Sequence, residues 1–222
     1  MSHWFVAGNE GPGRPVASLY SRCGRCGTQR DLNVLHPQCV PGVVRAESPV
    51  VPHTGGMRQN PTPVIPLPGQ ESVWEYPRPP RVEASKERVR IFLGGELIVD
   101  TNDSVRVLET SHPPVYYLPR SAFRPGVLEP AAGSSFCEFK GTASYLSIRA
   151  GGTVAGEAAW FYPRPTAGFE ILADRVAVYP GRVDRCEVDG ESVRPQAGGF
   201  YGGWVTDRVV GPFKGEPGTL GW

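Results

Sequence analysis

No stretch of this 222-residue chain approaches the roughly 18 consecutive apolar residues that a membrane-spanning helix needs. The N-terminus lacks a basic segment running into an apolar one, so no export signal is read there. Charge of either sign is scarce in net terms. The 23 Lys and Arg against 22 Asp and Glu leave a formal charge of +1, which argues against a dedicated nucleic-acid binder. No block of like charge marks a polybasic tail. Cysteine is sparse and odd in number, with Cys23, Cys26 and Cys39 near the start and Cys137 and Cys186 isolated later. Without an export signal that pattern argues against a disulfide framework, and the expectation is a soluble cytoplasmic protein with reduced thiols. The Gly-x-x-x-x-Gly-Lys-Ser/Thr phosphate loop is absent.

Proline and glycine are plentiful. Of 24 prolines, thirteen fall in residues 1–80. Residues 1–56 show neither strand alternation nor a helical stripe, and they read as a disordered extension. Met57 offers an alternative start, which would make that extension a mis-assigned one. Residues 57–70, including Asn60-Pro-Thr-Pro-Val-Ile-Pro-Leu-Pro-Gly69, form an extended Pro-rich lead-in. A single domain is expected over residues 71–222.

That domain has strand signals throughout. Gly94-Gly95 and Gly151-Gly152 each separate two apolar runs, and Asp189-Gly190 is a further tight turn. Strands are expected at Arg88–Leu93, Glu96–Thr101, Val105–Glu109, Val115–Leu118, Ser144–Ala150, Val154–Tyr162, Phe169–Leu172 and Arg175–Tyr179. Only Arg120–Leu128 suits a short helix, and Pro125 limits it. The fold class is therefore mostly β, a compact small barrel or sandwich of short antiparallel strands.

An internal echo suggests how it is built. Trp74-Glu-Tyr-Pro-Arg-Pro79 recurs as Trp160-Phe-Tyr-Pro-Arg-Pro165, and each copy precedes a similar strand. The spacing is too long for a solenoid, so it predicts two related half-domains facing each other. Each copy unites an indole, a phenol and a guanidinium that can stack on a flat ligand or hold an anion. The same aromatics can equally plug a core.

Three groupings could carry chemistry. Cys23-x-x-Cys26 with His36 and Cys39 has zinc-ligand types, although the segment offers no hairpin to frame a site. Unrelated cysteines in an arginine-rich tail are the plainer reading, and no metal is expected in the domain itself. Arg106 to Pro119 gathers Arg106, Glu109, His112, Tyr116 and Tyr117. On a strand Arg106 and Leu108 face one way, while Val107 and Glu109 face the other. Cys137 to Tyr145 supplies Lys140 just before a glycine that permits close backbone approach. Cys137 reads as a small buried hydrophobe.

The runs Arg106-Val-Leu-Glu109 … His112-Pro-Pro-Val-Tyr-Tyr-Leu-Pro119, Cys137-x-x-Lys140-Gly141-x-Ala143-x-Tyr145 and Ala159-Trp160-x-Tyr162-x-x-Pro165 together resemble a bacterial family. It is the domain-of-unknown-function family numbered 427, which carries the label nucleotidyltransferase-like. The resemblance covers residues from about 57 to the C-terminus. It implies a mostly β domain of two related halves, of the β-tent kind. Where the family commonly reads Cys-Pro-Tyr-Lys-Gly, this chain has Phe139 in place of the phenol. The label fits the residues poorly. Nucleotidyl transfer ordinarily uses closely spaced carboxylates that hold a divalent metal, and Asp100, Asp103, Asp184, Asp189 and Asp207 are scattered.

The expected function is small-molecule binding, with a nucleotide or anionic metabolite as ligand. The site residues are Arg106, Glu109, Tyr117, Lys140, Tyr145, Trp160 and Tyr162. Neither nucleic acid nor membrane is an expected partner, and no cofactor is expected. The alternative is a nucleotidyltransferase-like enzyme using Mg²⁺, with Glu109, His112 and Lys140 as catalytic candidates. A second alternative is a protein-interaction module using Phe200, Tyr201, Trp204, Phe213 and Trp222 of the C-terminal segment.

Overall fold

The computed structural model describes residues 61–219 and Trp222, together with the backbone of two short antiparallel strands, Tyr20–Arg22 and Gln29–Asp31. Those two strands belong to a separate compact unit, Asn9–Met57. The other expectations placed on residues 1–60, including the Cys23, Cys26, His36 and Cys39 metal set, lie outside the described residues.

Eleven strands of the described domain form two antiparallel sheets. They are β1 (Arg81–Ser85), β2 (Val89–Leu93), β3 (Glu96–Thr101), β4 (Ser104–Leu108), β5 (Val115–Pro119) and β6 (Leu128–Cys137). The rest are β7 (Gly141–Ala150), β8 (Thr153–Phe161), β9 (Arg175–Val178), β10 (Arg185–Val188) and β11 (Glu191–Ser192). The larger sheet has the order β1-β4-β5-β9-β8-β7-β6, and the smaller one β11-β10-β2-β3.

The larger sheet is open, with β1 and β6 as its edges. This corrects the barrel alternative: the fold is mostly β, with antiparallel sheets and no closed barrel among the described residues. Alternation along each strand sorts side chains to two faces. Tyr116, Leu118, Leu146, Ile148, Val176 and Val178 join Val89, Ile91, Leu93, Cys186 and Val188 of the smaller sheet in one core. The opposite face gathers Val105, Val107, Tyr117, Cys137, Trp160, Tyr162 and Ala177 into a second core.

The Trp echo does not mark equivalent positions. The strand read as following the first copy is β2 of the smaller sheet, with β1 of the larger sheet coming between, whereas the strand after the second is β9, at the centre of the larger sheet. Trp74 sits in a 3-10 turn, Val73–Glu75, whereas Trp160 is within β8. Other differences have local causes. Arg120–Leu128 is only one 3-10 turn, Arg120–Ala122, before Leu128 opens β6. That strand was hidden by Pro130 and Gly133, both tolerable because β6 is an edge. Phe169–Leu172 contains a 3-10 turn rather than a strand, closed by the Glu170 carboxylate accepting from the Gly168 N–H at 2.9 Å.

Beyond β11 the chain crosses back and is pinned by Trp204. Its indole is buried, its Nε1–H donates to the Val178 oxygen at 3.0 Å, and its backbone N–H donates to Pro114 at 2.9 Å. Trp74 is only partly buried, and its Nε1–H donates to Pro212 at 2.9 Å. We expect Trp204→Ala to cost about 3–5 kcal/mol in urea denaturation and Trp74→Ala distinctly less. Equal losses would show that the C-terminal segment is not held by Trp204.

Candidate functional site

The site is built on one cross-strand row of the larger sheet. Register pairs Val105 with Tyr117, Tyr117 with Ala177, Ala177 with Trp160, and Trp160 with Tyr145. Ala177 is the small member, and its methyl leaves room for the two large rings beside it to meet. The Trp160 Nε1–H donates to the Tyr117 hydroxyl at 3.2 Å, with ring centroids 6.1 Å apart and nearly perpendicular. Tyr162 lies 6.4 Å from Tyr117, and Tyr179 lies 4.4 Å from Trp160. These aromatics floor a narrow cavity in which about 70 Å³ is open to the centres of water molecules. Burial pushes the phenols of Tyr117, Tyr162 and Tyr179 well up, so they stay neutral.

Lys140 enters from the turn between β6 and β7. Cys137 and Gly141 pair across a three-residue loop, and Gly141 takes a φ of 91°, a conformation suited to glycine. The turn buries the Lys140 side chain, leaving the residue only 6% exposed. Its Nζ stands 4.0 Å from Glu109 Oε2, too far for a hydrogen bond. Glu109 follows β4 and also lies 3.7 Å from Arg78 Nη1. Arg78 in turn pairs with Glu138 at 3.0 Å. The first Trp motif thus braces Glu109 from outside the cavity, while Trp160 and Tyr162 of the second line it.

The segment after the sheets supplies the facing wall: Gln196, Phe200, Tyr201, Gly202 and Lys214. Gly202 is required there, because a Cβ would stand 2.1 Å from the Trp160 ring. Gln196 locks the wall by donating to the Lys214 oxygen at 2.6 Å and accepting from Gly203 N–H at 3.2 Å. Burial, with Arg78 nearby, lowers the pKa of Lys214, whose Nζ donates to the Trp222 oxygen at 2.6 Å. His112 packs edge-on against Tyr201, with centroids 4.9 Å apart. With its proton on Nδ1, it donates to the Thr110 oxygen at 2.9 Å and keeps an acceptor lone pair on Nε2.

The structure brings Glu109, His112, Tyr117, Lys140, Tyr145, Trp160 and Tyr162 to this one cavity. Arg106 is not among them. Alternation on β4 turns it to the other face, where it pairs with Glu71 at 2.5 Å and with Glu83. Two carboxylates already occupy its guanidinium. Sequence reading missed Tyr179, whose signal was its position two residues beyond Ala177. It also missed Gln196 and Lys214, which lie in irregular backbone without periodicity. Among the described residues lining the cavity, Glu109 is the sole carboxylate, and it faces Lys140 and Arg78. That donor set does not fit a divalent cation, and no group of three candidate metal ligands occurs among the described residues.

His112 carries a pH signature. Burial lowers its pKa from the ordinary 6.5, assisted by the Lys214 and Lys140 charges and opposed by Glu109 and the Thr110 oxygen. Below pH 6.5 the unfolded chain takes up a proton that the folded imidazole resists. Its contribution to stability is therefore full above that value and is lost as pH falls toward the depressed folded pKa. Denaturation of wild type and His112→Asn between pH 7 and pH 5 should show the steeper loss in wild type, by at most about 1.4 kcal/mol per pH unit. Parallel profiles would contradict the assignment.

The model of a family described as a domain of unknown function, DUF427, and named NTP_transf_9 matches residues 81–189. No curated protein matches the chain. The matched span carries the row from Val105 to Trp160 together with Glu109 and Lys140, and stops short of the wall that begins at Gln196. Over that span, a little under half of the chain, the sequence is similar to the DUF427 family.

Proposed function

We propose that the domain binds a small, flat molecule bearing an anionic or carbonyl group, held in the cavity between Trp160 and the C-terminal wall. The observation that carries this reading is Lys140. Lys140 lines the cavity and is only 6% exposed, yet its Nζ makes no hydrogen bond among the described residues, and its one ion-pair partner there stands 4.0 Å away. A ligand oxygen there would supply the missing acceptor, and Trp160, Tyr162 and Tyr145 would supply the apolar contact. The reading places the protein in the cytoplasm, with neither nucleic acid nor membrane as partner. The buried free thiols of Cys137 and Cys186 suit a reducing compartment, and no helix among the described residues is long and apolar enough to cross a membrane.

The alternatives have less support. Nucleotidyl transfer through Mg²⁺ meets a site with one carboxylate flanked by cations. The protein-interaction reading needs a free aromatic patch, whereas Trp204 is fully buried and Tyr201 forms part of the cavity wall.

Calorimetric titration of the full chain with aromatic carboxylates, nucleosides and nucleotides tests the proposal. At least one class should bind, and Lys140→Met should weaken it tenfold or more while the melting temperature stays within a few degrees. A charge-assisted hydrogen bond of about 1.5–3 kcal/mol sets that expectation. No binding by any class, or undiminished binding to Lys140→Met, would overturn it.

A further inference from the structure

The proposed binding site also points to what the ligand presents to Lys140, an inference that rests on the reading above. Lys140 and Glu109 are both nearly enclosed, with side-chain exposures of 8% and 14%. Their charged atoms stand 4.0 Å apart, beyond a hydrogen bond, and neither makes a hydrogen bond to the other. Glu109 Oε1 is likewise 3.7 Å from Arg78, so this carboxylate has ion-pair neighbours at a distance and no close donor among the described residues. A donor-only ammonium and an acceptor-only carboxylate, both facing one cavity, are complementary to a group that accepts and donates at adjacent atoms.

A carboxylate ligand matches only half of this. It would accept from Lys140, yet place a second negative charge against Glu109, at a cost that grows in a partly enclosed site. A purely apolar ring supplies neither ion with a hydrogen bond. A lactam edge suits both: its carbonyl oxygen accepts from Lys140, and its N–H, one carbon away, donates to Glu109. The remaining surfaces agree with a ring behind that edge. Trp160, Tyr117, Tyr162 and Tyr145 give flat apolar contact, and the neutral His112 also lines the cavity. Size agrees as well. With about 70 Å³ open to water centres, bounded by Gly202 pressed on the Trp160 ring, the space suits one ring rather than a whole nucleotide.

We infer that the Lys140–Glu109 pair selects single-ring heteroaromatic lactams, the chemistry presented by a pyridone or a pyrimidine base.

Three probes test this on the full chain by ligand-observed NMR titration: 2-pyridone, its N-methyl derivative and benzoate. The expected result is that 2-pyridone binds at least tenfold more tightly than either of the others. Lys140→Met and Glu109→Leu should each abolish the preference, in variants whose near-ultraviolet circular dichroism matches wild type. Benzoate binding as well as or better than 2-pyridone, with loss in Lys140→Met, would overturn the lactam assignment while leaving small-molecule binding intact. No binding of any probe would overturn the lactam assignment alone if other flat anions bind, and both readings if none does. If Glu109→Leu fails to fold, the N-methyl derivative decides alone: equal affinity for it and 2-pyridone overturns the assignment.

Discussion

Everything at the candidate site depends on a small residue between two large ones. Ala177 sits in register between Tyr117 on β5 and Trp160 on β8, and its methyl group is what lets their rings meet above the sheet. The indole N–H then satisfies the buried phenol, and the two rings fix each other. A larger side chain at this position would occupy the space above the sheet and separate them. Tyr117, Tyr145 and Trp160 are each carried by a strand with paired neighbours, and Tyr162 and Tyr179 lie one residue past a strand end, which positions the rings better than a loop would.

Around that floor, the polar groups arrive from less regular backbone. Lys140 rides a three-residue turn, Glu109 and His112 lie just past the end of β4, and the facing wall comes from a segment pinned by Trp204. The result is an apolar base with charge at one end. Enclosure is what gives the charge its weight, because an ammonium and a carboxylate held apart in poor solvent act more strongly on a third group than they would in water.

Much of this was legible in the sequence wherever side chains follow a period. The Gly94-Gly95 and Gly151-Gly152 turns announced their hairpins, and Tyr117, Lys140, Tyr145, Trp160 and Tyr162, singled out in the sequence, line one cavity. Arg106 shows the limit of density as a guide. It stands three residues from Glu109, yet strand alternation sends it to Glu71 and Glu83 on the other face. The Trp echo shows a different limit. Similar residues recur because Trp, Tyr, Pro and Arg suit both an edge turn and a strand end, so the copies share composition without sharing a place in the sheets. Gln196 and Lys214 had no signal, since a glycine-rich segment with no period does not reveal which sheet face it will cover.

The central claim is that Trp160, and not merely some tryptophan, meets ligand. Indole N–H resonances in a nitrogen-15 correlation spectrum test this directly, with the Trp160 signal assigned by its absence in Trp160→Phe. Addition of a binding heteroaromatic should move the Trp160 resonance and leave those of Trp74 and Trp204 in place. A ligand that binds while the Trp160 resonance stays still would contradict the account.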